Sequence, residues 1–207
     1  MLIKSATARS ATDLLALDAR AVHVSAGLVA QASPADLGRP TPCAGWTLLD
    51  LLEHMTAQHY GFAAASAGDG DLAPWQVRDL GDDPVGAYLT AARHVLASFA
   101  AGGVLDRTFI LPEFKRGNTY PAAQAVSFHF VDYVVHSWDV ARTLGLPLRC
   151  DPALLEAALG VARNVPDDDA RLEAGAAFAP GVAWTGGEPG LSQVVALLGR
   201  SPDWQRP

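Results

Sequence analysis

Four ionisable residues, His129, Asp132, His136 and Asp139, stand three, four and three positions apart in the stretch HFVDYVVHSWDVAR. At about 100° per residue, an α-helix stacks such a series on one face over roughly three turns. Phe130, Val131, Tyr133, Val134, Val135, Trp138 and Val140 fill the remaining faces. A helix of this kind is expected to be buried nearly all round, with its ionisable stripe turned toward other helices. Buried carboxylates and imidazoles need partners or a metal. Asp132 and His136, one turn apart, would form a mononuclear metal site with one histidine from a second helix. Two imidazoles and one carboxylate with an open position describe a catalytic rather than a structural zinc site, and they also suit nickel, manganese or ferrous iron. The competing reading is a satisfied polar cluster in which Asp132 and His136 bond only to each other across one turn.

The remaining histidine would come from TLLDLLEHMTAQHYGF, where Thr47 and Asp50 form a capping-box start and Leu48, Leu51, Leu52, Met55 and Phe62 mark the apolar face. His59 falls close to the line of Leu52, Met55 and Phe62, while His54 lies at the flank beside Leu51 and Gln58. Periodicity leaves both open as partners of the long helix. Cys43, just ahead of this helix, is placed where a helix N-terminus could activate a thiol, although most lone cysteines are small buried hydrophobes. Asp139 and Arg142 could form an ion pair that orients a ligand or, more simply, a structural helix-to-helix tie, and Trp46, Trp138 and Trp184 could line a pocket or fill the core. No phosphate-binding glycine loop, G-x-S-x-G elbow or H-E-x-x-H motif occurs.

These residues need a helical frame. A first helix is expected from about Thr12 to Gln31, with Leu14, Leu17, Ala21, Val24 and Leu28 at spacings of three and four and His23 off the stripe. The proline-rich connection ASPADLGRPTPCAG precedes the second helix. AGDGDLAPWQVRDLGDD reads as a loop with Trp75 as its anchor. Asp83 and Pro84 cap a third helix reaching about Ala101, with His94 facing water. RTFIL and the Gly-Asn signal in EFKRGNTY suggest a small hairpin, after which Pro121 opens the long helix that ends at Gly145. Beyond it come a helix from Asp151-Pro152 to about Asn164, a polar loop VPDDDARLEAG, an irregular stretch and a short helix LSQVVALLG. Residues 1–207 are expected to form a single domain, with a bundle core at about 10–147 and a C-terminal elaboration at 148–207.

At 50% hydrophobic and 18% charged, a chain of 207 residues can bury a sizeable core. A net charge of −7, with lysine only at Lys4 and Lys115, argues against a nucleic-acid partner and for a small molecule. Neither a signal-peptide apolar run nor a stretch of roughly 20 apolar residues is present, so a cytoplasmic location and no membrane partner are expected. Cys43 and Cys150 define no disulfide framework.

TPCAGWTLLDLLEHM, HFVDYVVHSWDVARTLG and the closing LLGRSPDW together resemble the DinB-like superfamily, in particular its branch related to mycothiol-dependent maleylpyruvate isomerase. The resemblance implies an all-α, up-down-down-up four-helix bundle carrying a divalent metal at one end, zinc first and nickel or manganese as alternatives. It implies His54, Asp132 and His136 as the ligands, and so selects His54 over His59. It also implies a low-molecular-weight thiol such as mycothiol as cofactor, activated by the metal for attack on a small electrophile. His129, one turn before Asp132, would then serve as a partner behind the ligands or a proton relay. The isomerase itself is expected to have glutamate where this chain has Asp132, one methylene shorter.

Three function classes follow: a metal-dependent thiol transferase or isomerase, a non-catalytic metal- or small-molecule-binding bundle or stress-linked sensor, and an interaction protein whose polar stripe fixes helix register. A homodimer is compatible with each.

Overall fold

Four long helices, α1 (Leu2–Val29), α2 (Leu48–Ser66), α3 (Pro84–Phe99) and α4 (Ala122–Leu144), pack in a ring: α1 touches α4 and α3, and α2 touches α3 and α4. The computed structural model of the chain describes residues 2–114, 118–173, 175–186 and 190–206, with only the backbone of residues 2–12. A short antiparallel ribbon of β1 (Thr108–Ile110) and β2 (Thr119–Pro121) precedes α4 and sets Phe109 opposite Tyr120. The Gly117 half of the expected turn lies outside the described residues. α5 (Pro152–Ala162) and α6 (Leu191–Leu197) complete a mostly helical chain. No described helix is long and apolar enough to cross a membrane.

Local sequence accounts for most of the boundaries. Thr47 and Asp50 make the expected reciprocal cap on α2, and Asp83 and Asp151 accept backbone N–H groups at the starts of α3 and α5. Gly145, at φ 71°, ends α4 in the left-handed conformation. α1 begins ten residues before the expected Thr12, because Leu2–Ala11 contains neither proline nor glycine to stop it. The loop containing Trp75 is anchored as expected: the indole is buried and lies across Gly61 of α2, where a Cβ would collide with it.

The core has two apolar parts. One surrounds Leu51, Leu52, Met55, Val131, Val134 and Val135; the other surrounds Phe62, Trp75, Phe99, Phe109 and Val126. His129 touches Phe62 and Phe99 in the second part and Tyr133 in the first, so a polar layer runs between them. α4 is buried on nearly every face, as its composition requires. The expected polar loop VPDDDARLEAG differs in one respect: Arg171 is buried and donates to the carbonyls of Val165, Pro166, Ala179 and Leu197. A single guanidinium thus gathers the irregular C-terminal backbone, whose carbonyls would otherwise go unpaired.

Candidate metal centre

α2 and α4 run antiparallel, for the Tyr133 hydroxyl donates to the Met55 carbonyl while His129 meets His59 further along α2. This alignment brings His54 opposite His136, with their rings 5.3 Å apart and nearly perpendicular at 76°. His136 Nε2 stands 3.3 Å from Asp132 Oδ1. One ligand atom from each of His54, Asp132 and His136 lies within 4.8 Å of the other two. His136 is 3% exposed, whereas His54 and Asp132 are only partly covered, so the group opens outward. Outside it is a cleft of about 280 Å³ bounded by Gly45, Trp46, Asp50, Glu53, His54 and Val77. A larger cavity of about 660 Å³ lies farther along α2, among Thr56, Tyr60, Arg78 and His94. It includes none of the three clustered residues, and Glu53 borders both spaces.

Burial and neighbouring charges shift the three groups in different directions. Burial, reinforced by neighbouring His136, pushes His54 down to about 4, so that at neutral pH its ring keeps a lone pair to donate. Burial alone would raise Asp132, but the charge and hydrogen bond of His136 outweigh it and hold the carboxyl below its usual range. For His136, burial works downward and is overcome by Asp132 and Asp139 on its two sides, which raise it. A divalent cation at Nε2 would occupy the same anionic field that otherwise favours a proton. Two imidazoles and a carboxylate with one open side fit zinc, and also nickel or manganese.

Asp139 is placed differently from the expectation. Rather than pairing with Arg142, its Oδ2 accepts from His136 Nδ1 at 2.9 Å and from Arg200 Nη2 at 3.3 Å. Arg142 instead donates to the Trp204 carbonyl and stacks over Trp138 at 5.6 Å. Arg142 follows Asp139 by three positions, but the carbonyls of Pro202 and Trp204 take its guanidinium. Cys43 donates its thiol to Asp139 Oδ2 at 3.2 Å. Cys43, His136 and Asp139 form a second group with metal-like spacing, yet Arg200 Nη2 already lies 3.3 Å from the Cys43 sulfur. The guanidinium supplies that group with its positive charge.

The two other histidines of the stripe argument lie elsewhere. His129 bonds through Nδ1 to Asp18 Oδ1 at 2.7 Å and through Nε2 to His59 Nδ1 at 3.1 Å. Both ring nitrogens are thus engaged by Asp18 and His59 rather than by Asp132. His59 is fully buried and stacks on Tyr133 at 4.0 Å and 9°. Of the tryptophans, Trp46 stands at the cleft, with its ring 5.0 Å from that of His54, while Trp138 is buried and Trp184 half-buried. Sequence reasoning missed Arg200 and Asp18. The available signal for Arg200 was an arginine directly after the helix-ending Gly199 in LLGRSPDW; nothing in the first helix singled out Asp18.

The mycothiol maleylpyruvate isomerase N-terminal domain family model matches residues 18–141. Two uncharacterized proteins of Mycobacterium tuberculosis, from strains CDC 1551 and H37Rv, are each 31% identical over 191 residues, which span 91% of this chain and 98% of the relative. Two crystal structures, of the mycothiol-dependent maleylpyruvate isomerase and of a histidine-to-alanine mutant of it, are similar at a TM-score of 0.52. They are 14% and 13% identical and cover 73% of this chain and 67% of theirs, a likeness that carries the fold.

Proposed function

The chain belongs to the mycothiol maleylpyruvate isomerase N-terminal domain family, and from that membership we infer that it is a divalent-metal-dependent enzyme using a low-molecular-weight thiol of the mycothiol type on a small electrophile, as a transferase or isomerase. The observation that carries this reading is the convergence of His54, Asp132 and His136 at the edge of an open cleft. A divalent cation bound there would supply a Lewis acid that lowers the pKa of a coordinated thiol, making thiolate available at neutral pH.

The chain's own residues do the rest. His54 and Asp132 would offer a neutral nitrogen and an anionic oxygen from two helices, and His136 a nitrogen whose ring is fixed from behind by Asp139. Trp46 and Val77 line the cleft with apolar surface, and Asp50 and Glu53 provide hydrogen-bond acceptors. Burial, followed by the charges of Asp50 and Asp79, raises Glu53 above the ordinary glutamate value. A negative wall of this kind favours the hydroxyl or ammonium groups of a ligand over its carboxylates.

Elemental analysis of freshly purified protein, beside His54→Ala, tests the reading. About one equivalent of zinc, nickel or manganese is expected in the parent and little in the variant, as three protein ligands cannot be reduced to two without a large loss of affinity. The metal-loaded parent is then expected to convert an unsaturated electrophile only when a low-molecular-weight thiol is present, with the thiol consumed in a transfer and recovered in an isomerisation. Protein that binds no metal on incubation with all three ions overturns the reading; metal without thiol chemistry would instead favour a binding bundle.

A further inference from the structure

Behind His136 the chain gathers a closed group from three distant places: Cys43 ahead of α2, Asp139 on α4 and Arg200 beyond α6. Asp139 Oδ2 takes all three donors, from His136 at 2.9 Å, Cys43 at 3.2 Å and Arg200 at 3.3 Å. Asp139 is 0% exposed, and a carboxylate so placed requires a fixed counter-charge. Arg200 supplies it and is itself held firmly. Its Nη1 donates to the Leu198 carbonyl at 3.0 Å, its backbone N–H to the Val195 carbonyl at 2.9 Å, and its guanidinium covers Phe178 at 5.7 Å. Gly199, at φ 80°, makes the turn that sends Arg200 back into the bundle, and a Cβ there would strike the Ala179 carbonyl.

An imidazole that binds a metal needs a proton on one nitrogen and a lone pair on the other, and the partner of the first nitrogen decides which is which. We propose that Arg200 is a positioning residue for the metal centre: by fixing Asp139 it keeps the His136 proton on Nδ1 and the Nε2 lone pair directed toward the space shared with His54 and Asp132. The proposal rests on the metal reading above. It assigns part of the site to a residue outside the matched span of 18–141.

The test is the zinc affinity of Arg200→Met, Arg200→Lys and Asp139→Asn, read by competition with a chromophoric chelator. In parallel, the His136 Nδ1–H resonance is recorded in the zinc-loaded protein. Loss of a carboxylate partner behind a ligating histidine typically weakens metal binding about 10–100-fold, which is the loss expected for Arg200→Met and Asp139→Asn. Arg200→Lys should retain most of the affinity and the slowly exchanging resonance, since Arg200 reaches Asp139 through the single nitrogen Nη2. If Arg200→Met does not fold, Arg200→Gln, neutral but polar, takes its place. Parent-like affinity in the neutral Arg200 variant or in Asp139→Asn, or equal losses for the neutral variant and for Arg200→Lys, overturns the proposal. A parent protein that takes up no zinc, nickel or manganese would instead overturn the underlying metal reading, which separates the two failures.

Discussion

His59 sits wholly inside the protein, flat against Tyr133, with no hydrogen-bond partner for Nε2 among the described residues. Burial, then the neighbouring His129, pushes it well below 6.5. The unfolded chain takes up that proton near pH 6.5, so below this pH the unfolded state binds more protons than the folded one. The stability that depends on a neutral His59 is complete above about pH 6.5 and is lost as the pH falls below it. Urea titrations in chelator at about pH 7.5 and about pH 5 should therefore show a smaller acid-induced drop for His59→Phe than for the parent, whatever the variant's absolute stability. An unchanged drop would mean that His59 is not among the groups that titrate. The sequence showed a single stripe on α4, and the structure divides it. His129 turns into the core toward Asp18 and His59, Asp132 and His136 meet His54, and Asp139 lies buried behind His136. Helical spacing reveals a shared face, but the neighbours on that face belong to distant segments that spacing cannot see.

Gly61 shows how an element's small residue serves a loop. Its missing side chain lets the Trp75 indole lie flat on α2, fastening the loop that borders the cleft at Val77. Gly61→Ala has helix propensity in its favour by about 1 kcal/mol, yet the new methyl would meet a buried ring with no free space. Overpacking of this kind typically costs about 1–3 kcal/mol, so a net loss of stability is expected by thermal or urea unfolding. A variant more stable than the parent would show that Trp75 moves aside at little cost. Helix positions were legible because caps and periodicity are local: Thr47, Asp83 and Asp151 each mark a start in the sequence. The early start of α1 was not, since nothing apolar and periodic precedes Leu14 to reveal it. The choice of His54 over His59 also exceeded the pattern, which placed both near the same face.

Over the whole molecule, α5 and α6 pack on α4, and the residues beyond them are tied to the bundle by arginine side chains. Arg142 holds the Trp204 carbonyl, Arg206 Nη1 donates to the Thr143 carbonyl at 3.4 Å, and Arg200 enters the bundle. Arg142→Ala should loosen this segment at a cost of about 1–3 kcal/mol for hydrogen bonds to a charged group. Faster limited proteolysis between residues 198 and 206 would be the measured sign, and an unchanged cleavage rate would count against it. The apolar runs and prolines that fix the elements were visible in the sequence; which of fifteen cations would be drawn inside was not, because that depends on where distant carbonyls and carboxylates come to rest. The position of Arg200 also has a bearing on biosynthesis. A ribosome makes His54, Asp132 and His136 before it reaches Arg200, which is 61 residues beyond Asp139. During that interval the nascent chain holds every electron-pair donor of the centre without the residue that fastens Asp139. On this reading, full metal affinity belongs to a chain in which Arg200 has already docked on Asp139, and not to a shorter nascent one.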